Sequence, residues 1–418
     1  MRDAGLDGAL APLQGATPEL RAQLTQELGH GPAPPTGFSS STFKEDDVGL
    51  CLSGGGYKAC LYHVGALQVL NEKGLLPHLA RVASVSGGSI TAARLGLVWR
   101  RLAFDPQTGI ADNFDRLVTD PLRQFCQSAW LATPSVLKQC IPPFRSAGQR
   151  VADGYHRHIL DGAALADLPG EGEGPRFTIL ATNYETLSAV RFERERVRDW
   201  RVGEWKSPDL RLADAVAASS AFPPVLSPFV LKTGSISLFD NPAGQAGRGQ
   251  PDLHRPPFTE RFELVDGGVY DNMGLEPVWK RSGRILVSNA GNPLEYEAPL
   301  GIQLASQLRR VISLIHRQAE TNRVRTLFDL AGRGERKVAY WGLRTDPRQV
   351  ADLPAGEGLD GCDLVDVMMI EVNLKPLADR AVDLLVRHGR AGALAALSRH
   401  GSDTFRPEPG VPVPGGIA

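Results

Sequence analysis

No apolar run in this sequence approaches the roughly 18–20 residues that a bilayer-spanning helix needs. A basic-then-apolar leader is also missing from its first residues. The expectation is a chain that does not span a membrane but can meet one at its surface. Cysteines are few: Cys51, Cys60, Cys126, Cys140 and Cys362 are odd in number and show no C-x-x-C spacing. That argues against a disulfide framework or a zinc site and fits reduced thiols in a cytoplasmic protein. Charge excess is absent too, since 46 Lys and Arg against 47 Asp and Glu leave a net charge of −1. Nucleic acid is therefore not expected as a partner. The basic cluster Arg309, Arg310, Arg317, Arg323 and Arg325 reads as a solvated helix face rather than an anionic-lipid contact. No His, Cys and Asp grouping has ligand spacing, so no metal or other cofactor is expected.

What is present organises 418 residues into four expected parts. Residues 1–46 form an extension with a helix at Pro18 to Leu28 and a Pro- and Ser-rich linker. Residues 47–290 form a core, carrying a helical cap insertion at about 103–170 and a long Gly/Pro-rich loop at 232–260. Residues 291–405 form a C-terminal α/β extension packed on the core, and 406–418 a flexible tail. Strands are predicted at Val48 to Leu52, before Ser86, and at Arg176 to Thr182, Ser188 to Glu193, Arg261 to Val265, Arg284 to Ser288 and Val365 to Asn373. Helical spacing follows Gly56, begins again at Ile90, and recurs at Asn113 to Ala129, Gly148 to Leu160, Leu212 to Ala221, Leu300 to about Leu330 and Asp379 to Ser398. Strands alternating with helices give an α/β class: a mostly parallel central sheet with helices on both faces.

Three stretches carry chemistry. In Val82-Ala-Ser-Val-Ser-Gly-Gly-Ser-Ile90 a strand ends at Ser86, two glycines follow and a helix starts. That is the G-x-S-x-G nucleophile elbow with Ser84 in place of its first glycine. The bland alternative is a strand-to-helix turn in which Ser86 caps the helix. Gly54-Gly55-Gly56, between a strand and a helix, leaves backbone N–H groups open to an oxyanion or phosphate. Gly54-Gly-Gly56-Tyr-Lys-Ala59 also fits a dinucleotide fingerprint, but the second strand ends in Ser84-Val-Ser86 without the ribose-binding carboxylate, and Walker spacing fails. Asp266-Gly267-Gly268 puts a carboxylate at a strand's C-terminal end, where open α/β sheets bind ligands; an ordinary Asp turn is the alternative.

Together these stretches resemble the patatin-like phospholipase family. The resemblance implies that Gly54, Gly55, Gly56 and Lys58 fall on its oxyanion loop, Ser86 on its nucleophile and Asp266 on its base, 180 residues further on. Ala181-Thr-Asn-Tyr-Glu-Thr186 and Ala217-Ala-Ser-Ser-Ala-Phe-Pro223 also look like family segments, and Asn272 matches an asparagine that often follows the acidic turn. The implied activity is lipid acyl hydrolysis of the phospholipase A type at a membrane surface, through a Ser-Asp dyad and an acyl-enzyme. A soluble carboxylesterase or thioesterase, or a non-catalytic lipid-binding protein, stands as the alternative. His63 is read as a satisfied helix residue rather than a triad member, and His254 as a weaker candidate still. The apolar stretch Ala221 to Leu226 and Trp130 are expected to flank the pocket mouth.

Overall fold

In the computed structural model, β1 (Lys44–Leu52), α1 (Gly56–Glu72) and β2 (Leu79–Val85) form the expected βαβ unit, with the two strands parallel. Described are residues 43–130, 147–223, 226–234, 238, 253–291, 303–354, 357 and 364–406. The extension up to residue 42 with its helix at Pro18 to Leu28, the Ile141-Pro-Pro-Phe144 break, residues 239–252 of the long loop and the tail beyond 406 lie outside them.

The last five residues of β1, Val-Gly-Leu-Cys-Leu, are all buried. A strand with no polar alternation must be covered on both faces, and this one is. It sits at the centre of a ten-stranded sheet. Beside it run β9 (Ser282–Asn289) and β10 (Lys337–Gly342) on one side, and β2 and β3 (Arg176–Asn183) on the other, all parallel. Beyond β3 the sheet continues antiparallel through β4 (Ser188–Glu193), β5 (Arg196–Asp199) and β6 (Gly203–Lys206). A side hairpin of β7 (Phe229–Lys232) and β8 (Arg261–Asp266) joins β3 through β8. The short strands β5, β6 and β7 were not foreseen, because four residues carry too little periodicity to read.

Helix α1 is buried on all sides, wedged between the sheet and α10 (Asp379–His400). Gly65 and Gly389 make this possible: a Cβ on Gly65 would stand 1.9 Å from the Val386 carbonyl oxygen, and one on Gly389 would stand 1.9 Å from that of Tyr62. The two helices touch backbone to backbone. Val382, Leu385 and Leu394 of α10 belong to the same core as β1 and α1, so the region beyond residue 290 completes that core.

The insertion contains α3 (Asp120–Gln127), reached through a π-helical turn, and α4 (Ala147–His158), both following α2 (Gly87–Val98). An aromatic cluster holds it to α1: Trp130 stacks on Phe125 at 5.4 Å and meets Tyr155 at 5.6 Å, while Phe125 meets Tyr57 at 5.5 Å. Trp130 is thus a packing residue of the insertion, over Gly154. The strand expected at Val365 to Asn373 is instead a short helix, α9 (Leu364–Met369), followed by an irregular strap. A short apolar run does not distinguish strand from helix. Here the last helical carbonyls are satisfied from outside, since the Lys58 ammonium donates to Met368 and Ile370 at 3.0 and 2.9 Å.

Candidate active site

β3 acts as the template for the site. β2 runs along it as far as Val85, which pairs with Leu180. β8 runs along the same edge from the opposite direction and ends at Asp266, which pairs with Ala181, the very next residue. Two strands therefore meet end to end against a third. Their terminal residues, Ser86 and Asp266, are brought together across the long sequence separation.

Ser86 takes φ 50°, ψ −119°, a strained conformation for a residue with a Cβ, and stands at the N-cap position of α2 without a side-chain capping bond. Its backbone N–H donates to Ser219 Oγ at 2.8 Å, at the end of α5 (Leu212–Ser219). Ser219 in turn meets Ser89 Oγ at 3.0 Å, and Ser89 donates to Ser84 Oγ at 3.0 Å. The departure from the elbow pattern is thus explained: Ser84 is fully buried, and its hydroxyl accepts the last bond of a chain that fastens the turn. Ser219 went unassigned in the sequence, although its segment had been singled out.

Asp266 is 3% exposed. Burial pushes its carboxyl up to about 6, against the opposing pull of the Gly268 N–H, which donates to it, and of the nearby Ser86 hydroxyl. The Gly268 N–H lies 2.7 Å from Oδ1. Thr182 Oγ1 fixes the Asp266 carbonyl at 3.0 Å, and the Asp266 N–H goes to Ala221 O. The neighbouring residues of that strand segment, Asn183 and Thr186, together with Ser188, donate to the buried carboxylate of Asp199.

The glycine loop lies against the elbow. Gly54 donates its N–H to the Asn272 carbonyl at 2.9 Å and stands so close to Ser86 that a Cβ would come within 3.2 Å of the serine Cβ. Gly56 has φ +60°, a region costly to any other residue. Among the described residues neither the Gly55 nor the Gly56 N–H has an acceptor, and both sit at the positive end of α1. The Lys58 side chain points elsewhere, into the strap, so the loop's open donors are backbone N–H groups, those of Gly55 and Gly56 among them, and not the ammonium. The Asn272 amide is wedged between Gly54 and Gly268 and sets the spacing of the two loops.

Neither histidine is in the site. His63 is fully buried; its Nε2–H donates to the Ser53 carbonyl at 2.9 Å, which leaves Nδ1 to accept from Ser288 Oγ at 2.8 Å. Burial holds its pKa down at about 4, despite the Ser53 carbonyl. It is a neutral strut beneath the glycine loop. His254 donates to the Val202 carbonyl at 2.7 Å. Among the described residues no group of three or more His, Cys, Asp or Glu could hold a metal ion, and no helix is long and apolar enough to cross a membrane.

On the far flank α6 (Gly268–Asp271) and α8 (Leu304–Gly332) enclose a small recess beside the acidic turn, lined by Gly268, Asn272, His316 and Glu320 among others. Glu320 accepts from Asn289 Nδ2 at 2.7 Å, which fastens α8 to the sheet edge.

A serine elbow abutting a strand-end carboxylate at one edge of a largely parallel sheet defines an α/β protein of hydrolase type. Its family is equally plain: residues 50–279 match the family model described as patatin-like phospholipase, and the chain belongs to that family. Among solved structures, it is similar to human GIVD cytosolic phospholipase A2, at 14% identity over 90% of this chain and 61% of that one, with a TM-score of 0.48. VipD from Legionella pneumophila matches at 14% identity over 85% of this chain and 67% of that one, with a TM-score of 0.36. The chain spans about three fifths of the length of the human enzyme. A comparison with curated proteins gave no match.

Proposed function

We propose that the protein is a lipid acyl hydrolase of the phospholipase A type, acting through Ser86 and Asp266 at a lipid surface. One observation carries this: a strained serine brought by the strand register beside a buried carboxylate whose pKa is raised to about 6. An ordinary carboxylate is too weak a base to help a serine hydroxyl; burial strengthens it while leaving it mostly ionised at neutral pH. The Ser86 oxygen attacks the ester carbonyl carbon and its proton passes to Asp266. The carbonyl oxygen becomes an oxyanion facing the Gly55 and Gly56 N–H groups. When the ester C–O bond breaks, the leaving alkoxide takes the proton back from Asp266, and the acyl group stays on Ser86. Water then repeats the sequence with Asp266 as base, releasing the fatty acid and restoring the serine.

The surface supports a lipid substrate. Exposed large apolar side chains gather on elements bordering the site: Phe222 after Ala221, Val269 in α6, Ile312 and Ile315 in α8, and Met369 beside the strap. Monomeric soluble proteins seldom leave such residues grouped without a use. The test is labelling with a fluorophosphonate, followed by hydrolysis of phospholipid in vesicles and of a short-chain ester in solution. Labelling at Ser86 with faster turnover on vesicles is expected. Equal rates on both substrates would favour the soluble esterase, and labelling that survives Ser86→Ala would overturn the mechanism.

A further inference from the structure

The same strands carry a second polar feature. Arg81, Arg176, Arg191, Arg196, Arg198 and Arg281 line one narrow recess, together with Thr178, Glu193 and Pro277. The strand register explains how they meet. Arg81 of β2 pairs with Arg176 of β3, Arg191 of β4 pairs with Arg198 of β5, and Glu193 pairs with Arg196. Alternate residues of a strand share a face, so these side chains converge on one face of the antiparallel wing.

Few of them are compensated. Arg81 reaches Asp47 at 3.3 Å, and Arg196 takes Glu193 at 2.9 Å and Glu204 at 3.6 Å. Among the described residues Arg176, Arg191, Arg198 and Arg281 form no ion pair. Glu276, which also acts on Arg191, is held by Lys280. The Nε atoms of Arg81 and Arg198 are buried with no hydrogen-bond partner. Like charges directly opposite in an antiparallel pair destabilise it, and Arg191 faces Arg198 in that way. Burial, then the neighbouring Arg191 and Arg196, pull the Arg198 guanidinium below its ordinary pKa, and burial followed by Arg81 and Arg191 does the same to Arg281.

We infer that this recess is a binding site for a phosphate-bearing anion, separate from the candidate active site. Guanidinium forks match phosphate oxygens two at a time, and a tetrahedral dianion supplies the charge that the unpaired arginines lack. Arg191 pairs with Leu180 and Asp266 with Ala181, the next residue of β3, and successive strand residues face opposite sides of a sheet. A membrane meeting the face that carries Asp266 therefore has the sheet between it and this recess. A soluble phosphorylated compound is therefore favoured over a lipid headgroup, the other source of the same chemistry.

The probes are inorganic phosphate, pyrophosphate, and phosphatidylcholine vesicles with and without a phosphoinositide. Titration calorimetry and thermal melts on the full chain should show saturable stabilisation by phosphate or pyrophosphate that equal ionic strength of chloride does not give. Arg191→Gln with Arg198→Gln should weaken it at least about tenfold, the scale of one charged hydrogen bond. Fluorophosphonate labelling and an unchanged circular dichroism spectrum check that this variant is folded; Arg176→Gln with Arg281→Gln is the second variant if it is not. Sedimentation with phosphoinositide vesicles alone, lost in the same variants, would assign the headgroup as the source. No binding of any probe, or binding unchanged in both folded variants, overturns the proposal.

Discussion

Around Ser86 the polar groups answer one another: the amide goes to Ser219, Ser219 meets Ser89, Ser89 donates to Ser84, and the Asp266 carboxylate receives the Gly268 N–H. Around Arg198 they do not, and guanidinium faces guanidinium across paired strands. Both features are built on the same sheet, Arg191 pairing with Leu180 of β3 and Asp266 with the next residue, Ala181. A satisfied network fixes geometry before any substrate arrives, as chemistry demands. An unsatisfied cluster of one sign stores repulsion that a ligand can relieve. The comparison predicts that deleting a hydroxyl of the serine network costs stability, and that deleting a recess guanidinium does not.

The largest effect belongs to Ser86→Ala. Hydrolysis should fall by at least about a thousandfold and fluorophosphonate labelling should vanish, measured on a protein with unchanged circular dichroism. Next is Asp266→Asn, with an expected loss of roughly 100- to 10,000-fold in kcat. The same substitution should stabilise the protein at pH 8. The folded carboxyl titrates at about 6 against 3.8 for a free one, so its stability contribution is full below 3.8 and is lost as pH rises through about 6. That difference is about 3 kcal/mol, and the Tm gap between variant and parent should close as pH falls towards 4. Over the same range the parent's hydrolysis rate should decline below about pH 6, as the base is protonated.

Ser219→Ala probes the network itself. It strands the Ser86 N–H and should cost about 1–3 kcal/mol in chemical denaturation, with a lower kcat and little change in KM. The smallest effect is in the arginine recess, where Arg198→Gln without added anion should leave stability unchanged or raise it by up to about 1 kcal/mol. A destabilisation there as large as that of Ser219→Ala would break the contrast.

Much of this was legible in the sequence. Glycines in GGG, elbow and acidic-turn positions identified Ser86, Asp266 and the loop, because backbone geometry at such turns admits few residue types. The long helices and buried strands followed from apolar spacing. Other parts were not legible, each for a physical reason. The role of Lys58 depends on the carbonyls of Met368 and Ile370, more than 300 residues away, and nothing local to it names them. The hydroxyl chain that makes Ser84 acceptable joins three segments. The arginine recess is invisible along the chain, since its members come from β2, β3, β4, β5 and the turn before β9, and only strand register collects them.

The close backbone packing of α1 on α10, Gly65 against Val386 and Gly389 against Tyr62, sets an order of events during synthesis. The stretch matching the family model ends at Trp279, before β9, although β9 lies between β1 and β10 and α10 covers α1. A nascent chain emerging at about 5–20 residues per second therefore holds Ser86 and Asp266 for several seconds before it can seat them. Until α10 emerges, one face of α1 and the β9 side of β1 lack their covering, and an uncovered apolar strand edge is a template for aggregation. A stop codon after residue 279 would leave Ser86 and Asp266 in the product without the strand and the helix that complete their core.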